Sequence, residues 1–440
     1  MNINDQKLSE RQARNSVVLI ILIAILISVI FFQFGKPFNI DGHVPILNMD
    51  TFLYTQYAKA WAEVHPYQFN AADPPTTGCT SHLYPFLLGL FHIIGFHDLS
   101  LLDVAFILNI IFFILSAVCY WRIAEKLCPK QKWIAILLFL FSGHLTLGIF
   151  GLSDAGLFLL FSLLTWYSAL YKRYILMATV FFSLPFVRPE GMLIIFLFGL
   201  IVFIERIMNK KPAHLVEIRK KLYVCLFGLL GIITVWIINF SLTGMIVFDS
   251  MLGKNILFTN QWLTGLTIWI QGTMKLFYEL FWGGENTLRL YYMIPIISGL
   301  LILIAIFTLP WNKKMLSTPV QIEFWFLLCI IVTSILLMQN TMSLIHNDRY
   351  LIWILPLLYF FIIRGINFLP LPDKLKKGIL IIFILFQLTC MPIFLRIYVL
   401  NCGMTKPIIL TYQSANEVIK DKVKEVGVCG GSGIVKYIQP

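Results

Sequence analysis

Long apolar stretches dominate this chain, charge-free but for Asp103 and Arg396: 17–34, 102–121, 133–150, 155–171, 174–187, 191–204, 222–242, 291–309, 324–339, 350–363 and 379–398. A hydrocarbon core about 30 Å thick is crossed by about 20 apolar residues in a helix. Inside it each segment must satisfy its own backbone hydrogen bonds, which favours helices over anything irregular. The pattern predicts an all-α polytopic membrane protein with about eleven transmembrane helices. A mean hydropathy of +0.82 with 13% charged residues agrees, since soluble domains carry about 25% charge.

The charges that remain are grouped. Of the 34 Lys and Arg, 21 fall before the first run, in 122–132, at Lys172 and Arg173, in 205–221, at Lys313 and Lys314, and in 364–377. The net charge of +12 would in a soluble chain point to nucleic acid. Packed into alternate short loops, it reads instead as a topology signal and excludes a nucleic-acid partner. The rule puts the N-terminus in the cytoplasm and the C-terminal tail outside. The first run follows Lys7, Arg11 and Arg14; a cleaved signal peptide is the alternative, but its exit "FFQFGKPFN" lacks a small-residue cleavage pattern, so a retained anchor is expected.

Parity then excludes two further apolar stretches as spans, "LYPFLLGLFHIIGF" from Leu83 to Phe96 and the Trp-rich 256–282 segment. Both are expected as helices lying at the outer interface, where Trp262, Trp269 and Trp282 suit the headgroup level. Two long outer loops follow, 35–101 and 243–290, after which a membrane domain of 1–398 gives way to a short outer tail at 399–440. The eight cysteines show no paired metal-ligand spacing. A bridge between Cys402 and Cys429 in the tail stays open if the compartment oxidises.

Function is expected in the outer loops. Asp50 opens a helix-like run, "DTFLYTQYAKAWAEV", and its plain role is a helix cap. The same loop also concentrates Asp41, His43, His65, Asp73 and His82 in a chain otherwise nearly bare of such groups, which is how a catalytic base at the outer face would look. "FVRPEGML" places Arg188 and Glu190 at the outer end of a span, either neutralising one another or shaping the site. Lys254 in "SMLGKN" and His346, Asp348 and Arg349 in "HNDRYLIWILP" lie on the same side. Such cations anchor lipid headgroups or bind an anionic phosphate.

The segment from Met49 to Gly95 resembles the first outer loop of GT-C membrane glycosyltransferases, in particular the bacterial branch with the mycobacterial arabinofuranosyltransferases. That branch shows an Asp-Asp-Ala-Tyr start, a Tyr-Ala-Arg helix, a Gly-x-Thr-Ser turn and a Leu-x-Pro exit. Here these read Met49 and Asp50, then Tyr57, Ala58 and Lys59, then "GCTS" from Gly78, then "LYP" from Leu83. Downstream "GLSDAGLF", "RPEG", "DSMLGKN" and "DRYLIWILP" are similar to further family elements in the same order. The departures are a single acid at Asp50, where the family has two, and Asp154 where it usually has Glu.

The resemblance implies a GT-C bundle with interfacial helices in its outer loops, in a bacterial inner membrane. The implied enzyme moves a sugar from a polyprenyl phosphate to a hydroxyl on a glycan, lipid or protein acceptor. Asp50 would be the base, Tyr54, Tyr57, Trp61 and His82 would contact the sugar, and Lys254, His346 and Arg349 the donor phosphate. Arg188, Glu190 and Asp154 would shape the site. No cofactor is required by this chemistry, and a divalent cation stays open. Two other classes compete: a transporter or flippase for a lipid-linked solute, which would put its ionisable groups near the midplane, and a non-catalytic membrane subunit of an envelope complex.

Overall fold

The computed structural model describes residues 3–45, 50–70, 73–208, 212–246, 248, 304, 321–325, 327–329 and 352–419. It is helical almost throughout. The helices are α1 (Ile3–Gly35), α2 (Asp50–Ala62), α3 (Leu83–Ile93), α4 (Ser100–Leu127), α5 (Lys132–Leu140), α6 (Gly143–Phe150), α7 (Ala155–Leu170), α8 (Tyr174–Val187), α9 (Glu190–Met208), α10 (Pro212–Thr243), α11 (Leu355–Phe368) and α12 (Asp373–Ile419). Among the described residues the one β-type pairing is an isolated bridge between Ile40 and His43.

The surface identifies the solvent. Along α1, Ile20, Ala24, Ile27 and Phe31 are buried at helical spacing, while Val18, Leu19, Leu22, Leu26 and Val29 on the other faces are exposed. A water-facing helix would be polar there; these apolar faces meet lipid. Helix α10 repeats the pattern, with Leu226, Leu230, Ile237 and Phe240 exposed. Among the described residues five helices are long and apolar enough to cross a membrane, or six when α5 and α6 count as one span bent by 48°. The predicted runs at 291–309 and most of 324–339 lie outside the described residues.

The α5–α6 bend has an identifiable cause. Ser142 caps α6 by accepting from the Leu145 amide at 3.4 Å, and the Tyr359 hydroxyl donates to its Oγ at 2.7 Å. Gly143 sits against Phe394 so closely that a Cβ would fall 1.8 Å from the ring. The two halves together are long and apolar enough for the one crossing that the run 133–150 predicts.

Helix α10 packs along α8 through glycine: a Cβ on Gly231 would stand 2.2 Å from the Phe182 carbonyl oxygen. Small residues let membrane helices approach to backbone contact. Gly231→Ala is therefore expected to cost about 1–3 kcal/mol through overpacking, read as a lowered melting temperature in detergent. Gly199→Ala, whose nearest neighbour would be Cys225 Sγ at 3.9 Å, should melt like the parent protein.

The basic loops meet at one end of the bundle. Tyr171 donates to the Arg122 carbonyl at 2.9 Å, Lys172 pairs with Glu217 at 2.8 Å, and Gln131 bonds Asn367 at 2.9 Å. Lys221 lies buried there between Glu205 at 2.7 Å and Gln321 at 3.4 Å. The opposite end carries α2, α3 and the turns 151–154 and 188–190. Helices α7 and α8, with 16 and 14 residues, are about 24 and 21 Å long. Both are shorter than a full crossing of about 30 Å, and α2 and α3 each hydrogen-bond the 151–154 turn.

Helix α3, with 11 residues, reaches only about 16 Å, in keeping with its expected place outside the spans. It runs parallel to α2: Tyr54 meets Tyr84 edge-on at 5.2 Å, and a Cβ on Gly89 would lie 2.9 Å from the Ala58 carbonyl oxygen. Helix α12 continues without a break through residue 398 to Ile419. Its Tyr398 and Gly403 pack on Phe31 and Phe38, so the start of the tail is the end of a long helix docked on the exit of α1. Cys402 is buried in this contact; Cys429 lies outside the described residues.

Candidate active site

Three segments converge beneath the start of α2. Asp50 is the acid in its first turn, where a carboxylate complements the positive end of the helix dipole. The next residue, Thr51, is buried and its hydroxyl donates to the Gly151 carbonyl at 3.3 Å. This hydrogen bond seats the Asp50 end of α2 on the turn that carries Asp154.

That turn is held in an unfavourable conformation. Leu152 adopts φ +54°, a region where a bulky side chain costs of order 1–3 kcal/mol. Its carbonyl accepts from the Tyr84 hydroxyl at 3.4 Å, and the Tyr84 oxygen accepts from Asn109 Nδ2 at 3.0 Å. Asn109 and Tyr84 are fully buried. A polar relay thus runs from α4 through α3 to the 151–154 turn and fixes its shape.

Asp154 is fully buried (0%) and Arg188 nearly so (2%). Arg188 Nη1 donates to Asp154 Oδ1 at 3.0 Å, while Nε and Nη2 grip both oxygens of Glu190 at 3.2 and 3.0 Å. The guanidinium also stands 5.8 Å from the Phe158 ring. The fork of Arg suits this double pairing, where the point charge of Lys would not. The triad ties the 151–154 turn to the 188–190 turn. The pairing foreseen between Arg188 and Glu190 is present, and Asp154 joins it.

The loop residues separate by role. His43 Nδ1 lies 2.6 Å from Asp103 Oδ2, and the Val44 amide donates to Oδ1 at 3.0 Å, which anchors the first loop to α4. His65 pairs with Glu63 at 3.0 Å and Asp73 with Asn70. Tyr57 packs edge-on to Phe69, and Trp61 to Tyr67 and Phe86. Tyr54, Tyr57 and Trp61 therefore face other protein groups along α2. Lys254, His346 and Arg349 lie outside the described residues. Asn109, Tyr84 and Leu152 were not singled out from the sequence; the signal for Asn109 was a lone amide inside the apolar run 102–121.

His82 is enclosed by Tyr67, Phe186 and Phe248, with ring centroids 5.3, 6.2 and 5.1 Å away. Its amide donates to the Phe186 carbonyl at 2.8 Å, strapping the loop to the end of α8. Neither ring nitrogen is in hydrogen-bonding geometry with a partner among the described residues. Burial lowers its pKa to about 4, and the nearby Asn239 amide offsets little of this. The folded state thus favours neutral imidazole, while an unfolded chain protonates near the ordinary value of about 6.5. Stability from this group is complete above pH 6.5 and falls as the pH drops towards 4. Melting temperature against pH should show that decline between 6.5 and 4, and His82→Phe, which keeps an aromatic ring in the cage, should flatten it.

No protein-family model and no curated protein sequence matches the chain. Solved structures do match. The archaeal oligosaccharyltransferase AglB from Archaeoglobus fulgidus, in complex with an inhibitory peptide and a dolichol-phosphate, superposes with a TM-score of 0.54 at 11% identity, covering 97% of this chain and 60% of that one. The same enzyme tethered to an acceptor peptide containing the NVT sequon gives 0.54 at 12%, covering 96% and 59%. Its complex with Zn and sulfate gives 0.51 at 10%, covering 95% and 57%. The chain shares its fold with this oligosaccharyltransferase. The likeness runs along nearly the whole of this chain, which spans about three-fifths of the oligosaccharyltransferase.

Proposed function

We propose that the protein is a membrane glycosyltransferase that moves a sugar from a polyprenyl-phosphate donor to an acceptor hydroxyl, with Asp50 as general base. The observation that carries this reading is the seating of Asp50 over the turn locked by Asp154, Arg188 and Glu190, at the end of a GT-C bundle opposite its basic loops. By the positive-inside rule the site end faces away from the cytoplasm.

In the reaction the acceptor oxygen attacks the anomeric carbon as Asp50 takes its proton, and the bond to the lipid phosphate breaks. A positioned base contributes about 10²–10⁴-fold. The departing phosphate needs positive charge, and Arg188 is already committed to two carboxylates. Lys254 and Arg349, with His346, are assigned to it. Tyr54, Tyr57 and His82 are buried and Trp61 half-buried against protein, which favours a role as the wall supporting α2 over open sugar contacts. The solved neighbours hold a dolichol-phosphate in one structure and an acceptor peptide in another, so a lipid-phosphate donor and, among acceptors, peptides are the first to assay.

The test is transfer of labelled sugar from defined polyprenyl-phosphate sugars by the purified protein in lipid. Product formation supports the proposal. Movement of the intact donor across the bilayer without transfer would establish the transporter reading, and neither activity would favour a non-catalytic subunit.

A further inference from the structure

The sequence "HIIGFH" ends α3 with a helix-terminating turn that brings two imidazoles together. The Phe96 amide donates to the Phe91 carbonyl at 3.1 Å and the Gly95 amide to the His92 carbonyl at 3.1 Å, the paired bonds of a Schellman cap. Gly95 takes φ +110°, which glycine alone adopts without strain. The hydrophobic contact that accompanies such caps is present, Phe91 against Phe96 at 6.2 Å between ring centroids. The chain is thereby turned back so that His97 faces His92, with Nδ1 of His97 3.3 Å from Nε2 of His92 and ring centroids 4.5 Å apart.

We propose that His92 and His97 form a two-imidazole clamp for Zn²⁺ at the end of α3, separate from the site under Asp50. Two nitrogens bound at about 2.0–2.1 Å in tetrahedral geometry stand about 3.3–3.4 Å apart, and this pair is already at that spacing. The χ2 torsion of histidine is broad, so each ring can turn its lone pair from the other nitrogen to a shared ion. Without the ion one of the two nitrogens carries a proton and hydrogen-bonds the other; on binding, that ring shifts to its other neutral tautomer, with no net proton release.

The surroundings set the charge balance. Glu63 and Asp98 face His92 with negative charge, and Lys59 and His97 oppose them. Lys59 is itself drawn to Glu63 at 3.9 Å. Among the described residues no cluster of three His, Cys, Asp or Glu has the spacing of a complete ligand set, so water fills the remaining positions, and the expected affinity is micromolar rather than that of a structural zinc site. Bound Zn²⁺ would staple the end of α3 to the segment leading into α4.

The experiment uses the full-length protein in lipid nanodiscs, purified without a histidine tag and titrated with Zn²⁺ by calorimetry, with Co²⁺ as a visible-absorbing probe of tetrahedral coordination. One equivalent of micromolar affinity is expected, weakened at least tenfold in His97→Ala and in His92→Ala and retained in Asp50→Asn. His97 lies outside the helix, so His97→Ala keeps the test usable if His92→Ala fails to fold. Absence of binding at 100 μM Zn²⁺ (about a hundred times a micromolar dissociation constant), binding unaffected by His97→Ala, or binding lost in Asp50→Asn would each overturn the clamp. None of these outcomes depends on sugar transfer.

Discussion

Asp50→Asn is expected to reduce sugar transfer by at least ~10²-fold while leaving folding and donor binding close to those of the parent protein. Asn keeps the size of the side chain and caps a helix about as well as Asp. The hydrogen bond that seats α2, from Thr51 to Gly151, does not involve residue 50. What Asn lacks is the ability to take a proton, which matters at the transition state and not in the donor complex. The measurement is turnover alongside donor affinity for the same preparation. Full activity in Asp50→Asn would reduce this residue to a helix-end carboxylate and move the search for a base to Asp41 or Asp154.

Arg188→Met is expected to have the largest effect on stability. Removing the cation takes its ion pair from both the fully buried Asp154 and the largely buried Glu190, and breaking a buried pair from one side costs about 3–5 kcal/mol. The protein should melt at markedly lower temperature or accumulate poorly. The discriminating variant is the triple change Arg188→Met, Asp154→Asn and Glu190→Gln, which removes all three charges together. It should recover much of the loss, because neutral groups are far cheaper to bury than unpaired ions. A single Arg188→Met variant as stable as the parent would show that the triad is not what locks the two turns.

The two experiments separate what these charges do. Asp50 is half-buried in the first turn of α2, and as the proposed base its loss should be felt in rate. Arg188 lies beneath, bound on both sides by carboxylates, and its loss should be felt first in the fold and only through the fold in the rate. Tyr84 and Asn109 belong with Arg188: their relay to the Leu152 carbonyl holds the turn on which α2 rests.

Long apolar runs were enough to indicate an all-α membrane protein, because solvation inside lipid leaves a span little choice but helix. Loop parity predicts α3 outside the spans, and α3 has 11 residues. Asp50, Arg188 and Glu190 were legible as sparse charges at the ends of apolar runs. Three things were not. The bend between α5 and α6 depends on Tyr359 and Phe394, which lie more than 200 positions away in the chain. The run 379–398 has no stop signal that registers the continuation of α12 along the exit of α1, since that extension is set by packing on Phe31 and Phe38.

The third is the partner of Arg188. Sequence proximity suggested Glu190 alone, and a two-residue spacing does bring those two groups together. Asp154 reaches the same guanidinium from 34 positions away, through the pairing of α7 with α8 and the left-handed turn at Leu152. The sequence by itself determined which segments enter the membrane and which charges are too costly to be there by accident, because transfer from water to lipid is a property of each residue and its neighbours in the chain. Only the tertiary structure decided which of those charges meet, because a buried ion is stabilised by contacts at about 3 Å, and contacts at that range are set by how helices distant in sequence pack.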